Sequence, residues 1–451
     1  MIAAPATTDV AVDDDARRTV RWVTWLFVLE ILLQRFAVPG QPVALLLPVI
    51  VVWTVLALRR GVMEIDSRRT LAWVAAVCVS GTALVAQTAF LPAPLISADS
   101  WMLLIAVWIP AMARFVDRRP STYLLVVRRV VDLLCILAAA CIVMMVSQLV
   151  GLAYTDVLAE FVPSNLLIQF FNTSYPIEYG SSIFRANAWV GLEPSIVSFL
   201  LGVGLLAAVL SRTHWWKLLL LAIGMFCTFG GSGFIVVVVG LLAMLFFPAR
   251  RLLVRYAAAA GVVLVLALTT PLVRPLIDRA STEFFDTNSS ASLRAVQAYI
   301  ALWPRWSGDT LGVLIGRGAG SAQRYADDLG IADLLVPTPA RTLFDFGLIA
   351  GTVLIVVLLF FYLDGPSASI AFTSFFSLWV FQPGGSQIVF ALPVMVLVTF
   401  FAPRVGHLHG ETLRGHEFGE PAADLAIAAD DQRGAPGARA LRRHARLLLG
   451  S

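Results

Sequence analysis

Long apolar runs alternate along this chain with short charged ones, and the apolar runs are of membrane length. About 17 to 25 apolar residues suffice to cross a hydrocarbon layer of ~30 Å as a helix, and in lipid only a helix satisfies its own backbone hydrogen bonds. The pattern predicts twelve spans, near residues 20–36, 42–58, 70–91, 99–115, 130–152, 189–210, 215–231, 233–247, 252–271, 341–363, 367–381 and 386–401. Two long connections stand out, 153–188 and 272–340. Within the second, NSSASLRAVQAYIALWPRW (288–306) has the period of an amphipathic helix. Leu293, Val296, Ile300 and Trp303 are expected on lipid or the bundle, with Arg294 and Gln297 on another face. A glycine turn, GRGAG (316–320), an acidic stretch, ADD (326–328), and a proline-rich exit, VPTPAR (336–341), follow. The expectation is an all-α fold, a polytopic integral membrane bundle of about twelve transmembrane helices with a large extracytoplasmic loop.

Composition agrees with the pattern. With 59% hydrophobic and 14% charged residues and a mean hydropathy of +0.83, the chain lacks the polar surface of a soluble domain. Loop charges set the orientation, because Lys and Arg are retained on the cytoplasmic side. Arg17, Arg18 and Arg21 precede the first span; Arg59, Arg60, Arg68 and Arg69 follow the second; Arg114, Arg118, Arg119, Arg128 and Arg129 follow the fourth. Arg212 and Lys217 follow the sixth span, and Arg250, Arg251 and Arg255 the eighth. The even-numbered connections are therefore expected inside, with both termini cytoplasmic in a plasma membrane and 153–188 and 272–340 outside. The connection after the tenth span, DGPSAS, carries no basic residue. Three regions result: a cytoplasmic tail (1–19) without the basic start of a cleaved signal, the transmembrane domain (20–401), and a polar cytoplasmic tail (402–451) expected to be disordered.

This layout restricts the chemistry. Cys78, Cys135, Cys141 and Cys227 fall inside predicted spans, and His214, His407, His409, His416 and His444 in cytoplasmic segments. An external site would have neither a histidine base nor a histidine-bound metal, and no metal, cofactor or nucleic-acid partner is expected. Glu30 and Gln34, one turn apart, and Asp132 are expected to bond neighbouring helices. In FNTSYPIEYGSSIFRANAWVGLEPS, Glu193 and Pro194 begin the sixth span, eight residues after Arg185. Glu193 either caps that helix or faces a polar cavity, since a charge left in lipid costs about 3 kcal/mol or more.

Arg185, Gly191, Glu193, Pro194 and Ser195, followed by a G-G-S-G turn (Gly230–Gly233), resemble the O-antigen polymerase and ligase superfamily. The late loop is similar too: Ser289, Ser290 and Ser292 leading into Arg294, then Gly316, Arg317, Gly318 and Gly320, then LFDFGLIAG (343–351), where Asp345 precedes a glycine-containing span. The matched blocks cover roughly 185–240 and 285–351. Ala291 departs from the family's serine, and Pro337 and Thr338 stand where ligases carry a His–Asn pair.

The resemblance implies transfer of glycan repeat units from a polyprenyl diphosphate donor to a sugar hydroxyl of a second lipid-linked glycan, outside the membrane, to build surface polysaccharide. It assigns Arg294, Glu193 and Arg185 to catalysis, and Arg317, Arg305, Gly318, Gly320 and Gln297 to substrate binding. Arginine suits this chemistry because its planar fork binds phosphate oxygens in pairs. Backbone N–H groups of GRGAG would add an anion nest, and Glu193, Glu178 or Asp345 would supply a base. Implied partners are polyprenyl-diphosphate-linked oligosaccharide, membrane lipid, a chain-length regulator and a flippase. A ligase and a non-enzymatic transporter of lipid-linked glycan are the alternatives; a transporter would show internal repeats.

Overall fold

The computed structural model describes residues 14–41, 43–92, 94–168, 171, 173–177, 181–246, 296–330, 334, 336–377 and 387–401. Described helices are α1 (Asp14–Leu33), α2 (Leu46–Arg59), α3 (Ser67–Phe90), α4 (Ala98–Trp108), α5 (Pro120–Leu149), α6 (Val157–Phe161), α7 (Pro194–Leu210), α8 (Trp215–Cys227) and α9 (Gly231–Phe246). Further on come α10 (Ala298–Ser307), α11 (Thr310–Ile315), α12 (Ser321–Asp328), α13 (Thr338–Leu363), α14 (Ala368–Phe375) and α15 (Ile388–Val394). Three of these, α3, α5 and α13, are long and apolar enough to cross a membrane; α2, α4, α7, α8, α9 and α15 belong to shorter apolar segments. The ninth expected span, 252–271, and the tail from 402 lie outside the described residues.

The all-α expectation needs one correction. Strands β1 (Met63–Ile65) and β2 (Ala113–Phe115) pair antiparallel, Met63 opposite Phe115. Three residues are too few to show an alternating pattern, and here the pairing is fixed by charge. Asp66 caps α3 by accepting the Arg68 and Arg69 N–H groups, and its carboxylate pairs with Arg114 at 2.6 Å. Arg69 is fully buried; it donates to the Ala111 and Thr399 carbonyls and pairs with Asp364 at 3.0 Å. The Phe115 N–H adds a bond to the Phe400 carbonyl. The connections after α2, α4 and α13 thus share one end of the bundle with the close of the α15 segment, including the DGPSAS connection that had no basic residue to place it.

Close helix contacts rest on small residues, as in bundles where lipid gives no hydrophobic drive between helices. Gly224 of α8 sits against Ala138 of α5, and Gly202 of α7 against Gly233 of α9. Asp132 pairs with Lys217 at 2.5 Å across α5 and α8, and Gln34 accepts the Leu192 N–H at 3.4 Å. Glu30 behaves differently from the expectation: it is fully buried, and neither carboxyl oxygen meets a hydrogen-bond partner among the described residues.

Candidate functional site

The glycine turn and the start of α13 form one unit. Helix α13 is broken at Gly347, whose φ of 73° and ψ of −179° lie where only glycine is comfortable. Gly316, at φ 85°, faces it, and a Cβ on either would run into the other's backbone. The break frees carbonyls that a continuous helix would use. Phe344 O accepts the Arg317 N–H at 2.9 Å, and Asp345 O accepts the Gly318 N–H at 3.0 Å. From α3, the Gln87 amide donates to both Ile315 O and Asp345 O. Buried non-helical backbone persists when its polar groups are satisfied in this way.

The Asp345 carboxylate completes the unit. It is buried and accepts the Gly320 N–H at 2.8 Å, the Ala322 N–H at 2.8 Å and the Ser321 hydroxyl at 3.1 Å, capping α12, with Arg341 Nε at 3.7 Å. This revises two expectations. The N–H groups of Gly318 and Gly320 bind the chain itself rather than forming an open anion nest. Asp345 is held as a cap, not poised as a base. The cavity beside it, lined by Ser100, Thr338, Arg341 and Thr342 among others, has a volume of about 30 Å³, far too small for a sugar ring.

Arg317 projects from this docked turn. Its guanidinium donates to Arg305 O at 2.9 Å and lies 3.5 Å from Asp309, which itself caps α11. Burial pulls its pKa below the ordinary arginine value, Asp309 opposing and the Arg305 charge adding to the fall. Its Nε–H is buried with no hydrogen-bond partner among the described residues. Helix α10 lies over this unit, with Ala298 and Leu302 packed into a small second core with Ala322, Ala326, Ala340 and Phe344. Val296, Ile300 and Trp303 are exposed, so the expected apolar stripe faces outward, away from that core. Gln297 is half-buried at the start of α10. Arg294 and Glu178 lie outside the described residues.

Arg185 and Glu193 belong to a second unit. Arg185 lies over the Tyr175 ring, 4.2 Å from its centroid. Glu193 stands at the N-cap of α7, yet its side chain takes no helix N–H; it accepts the Ser195 hydroxyl at 2.6 Å, so the simple cap reading is not realised. The entry to α7 and the G-G-S-G turn, both within the 185–240 block, meet here: Ser232 donates to Ser195 O, and Ser198 bridges Gly230 O and the Gly233 N–H. Sequence reasoning missed Asn187. Fully buried, it donates to Thr173 O and Gly191 O and accepts the Trp189 N–H, holding Ala188 and Trp189 at left-handed φ of 56° and 58° just ahead of Glu193. An asparagine before two left-handed residues carries no signal until the turn is seen. Arg35, which sequence reasoning also passed over, anchors this unit with two 2.6 Å bonds to Asp156 and one to Trp189 O. Burial works to raise the Asp156 carboxyl; the hydrogen bonds and charge of Arg35 outweigh it and hold the group below the usual carboxylate range.

Among the described residues no group of His, Cys, Asp and Glu is placed to hold a metal ion. Comparison of the chain with protein-family models returns no match, and neither does comparison with curated proteins.

Proposed function

We propose that the protein is a polysaccharide polymerase that joins oligosaccharide repeat units carried on polyprenyl diphosphate, outside the plasma membrane. In this reading the chain crosses the membrane twelve times, with both termini cytoplasmic and the 272–340 loop outside. The observation that carries it is the arginine-bearing turn strapped onto a broken span. Arg317 and Arg305 are adjacent, Arg317 is half-buried, and its buried Nε–H is left without a partner among the described residues. Such an arrangement suits a diphosphate leaving group, whose negative charge grows as the glycosidic bond breaks. Arg294, on the same loop, supplies the bidentate contact to that charge, and Glu193 takes the proton of the acceptor hydroxyl. Arg185 and Gln297 complete the substrate contacts. The family resemblance supplies the substrate class, and a chain-length regulator and a flippase are the partners such a polymerase needs.

The test is accumulation. Arg294→Ala should leave single lipid-linked repeat units unpolymerised at normal membrane levels of protein, with a loss of about 100- to 1000-fold in rate. Arg294→Lys should restore little, because a point charge lacks the fork. Glu193→Gln should lose roughly 100-fold or more. Polymer of normal length and amount from both Arg294→Ala and Glu193→Gln would sink the assignment.

A further inference from the structure

We infer that Asp345 is a positioning residue that sets Arg317, acting through the main chain of 317–322 rather than on substrate; this rests on the reading of Arg317 as a ligand for the donor's diphosphate. Three anchor points fix the turn that carries Arg317. Its own N–H is bound by Phe344 O and the next N–H by Asp345 O. Beyond Ala319, the Asp345 carboxylate takes the Gly320 and Ala322 N–H groups and the Ser321 hydroxyl. One residue of α13 thus holds the turn twice, by its carbonyl and by its side chain, while the Gly347 break makes that carbonyl available.

Between these anchors Arg317 has one way to go. Its side chain passes Gly312, where a Cβ would stand 2.6 Å from the guanidinium, and reaches Arg305 O and Asp309. Those contacts use the terminal nitrogens and leave the buried Nε–H without a partner among the described residues. A buried donor without a protein partner calls for an explanation, and an acceptor oxygen of the donor diphosphate supplies one here. Asp345 therefore determines where that donor points without approaching the reacting atoms.

The experiment uses the full chain in membrane vesicles. Wild type, Asp345→Ala and Asp345→Asn are compared by hydrogen exchange over 316–322 and by the rate of phenylglyoxal modification of Arg317, both read by mass spectrometry. Asp345→Ala should raise exchange at Gly320 and Ala322 at least about tenfold and speed Arg317 modification several-fold, with α3 and residues 348–363 unchanged. Asp345→Asn, which keeps an acceptor oxygen, should fall between. Unchanged Arg317 modification overturns the inference, and so does a rise spread evenly over the whole chain. In a polymerisation assay, the Arg317→Ala, Asp345→Ala double variant should be no slower than Arg317→Ala alone; a multiplicative loss would mean that Asp345 acts by another route. If Arg317→Ala polymerises normally, the diphosphate role of Arg317 fails, while the labelling still decides whether Asp345 sets its position.

Discussion

Glu30 sits in α1 with no exposure and with neither oxygen hydrogen-bonded among the described residues. A buried polar group without partners costs about 1–3 kcal/mol. Glu30→Leu should therefore raise the thermal midpoint of the purified protein, and a fall would reveal a partner that holds the carboxyl. Arg35 and Asp156 present the opposite case, a pair largely shielded from solvent with two short bonds. Removing Arg35 leaves the carboxylate without its main partner, so Arg35→Ala should cost on the order of 3 kcal/mol. Because the folded Asp156 carboxyl lies below its unfolded value, the pair's contribution is whole above the unfolded pKa of about 4 and drains away as pH falls through the folded value. Limited proteolysis within 153–168 should stay flat from neutral pH to about 5 and rise only below about 4. Cleavage that already climbs at pH 6 would show that another group controls this segment.

Helix α13 is where local pattern and three-dimensional structure part company. LFDFGLIAG looks like the start of an uninterrupted apolar span, since one glycine in a helix is tolerated at a cost of only ~1 kcal/mol. What breaks it lies elsewhere in the chain: the Gln87 amide of α3 and the Arg317 and Gly318 N–H groups donate to the Phe344 and Asp345 carbonyls that the helix gives up. No window of sequence contains those partners, so the break was illegible, whereas the helical identity of the segment was plain. Helix α10 was legible for the converse reason, its faces being set by its own spacing; the small core against Phe344 decided only which face turned inward. The break predicts a contrast between glycines. Gly347→Ala places a side chain against the Gly316 N–H at a glycine-only conformation and should cost at least about 3 kcal/mol, seen as loss of folded protein on size-exclusion chromatography. Gly61→Ala, also at positive φ but with no atom within 4 Å of its added Cβ, should cost only about 1–2 kcal/mol. Equal effects would mean that the close crossing carries no weight.

Across the whole molecule the described chain has two unlike ends. One is tied by a network of ion pairs among Asp66, Arg69, Arg114 and Asp364; the other joins separate pairs, Arg35 with Asp156 among them, to amide and backbone bonds from Gln87 and Asn187. The charge count along the sequence grouped the connections after α2 and α4 together, because loop charge is a one-dimensional bias that needs no contacts. It missed that the same arginines hold the bundle together, since a residue's partner across some 300 positions leaves no trace in spacing. Reporter fusions at Arg60 and Arg119 should read cytoplasm and a fusion near Asp309 the outside; a cytoplasmic signal at Asp309 would place the arginine-bearing turn on the wrong face. The Gly347 break also bears on biosynthesis. In a chain made from its N-terminus, α3 and the 316–318 turn emerge before α13 does. The acceptors opened at Phe344 and Asp345 therefore find their donors already synthesised when the segment leaves the ribosome. A circular permutant that translated 338–363 ahead of 67–90 would deliver the same broken segment into lipid with no donor waiting, and quality-control proteolysis should remove it even though every residue of the mature fold is present.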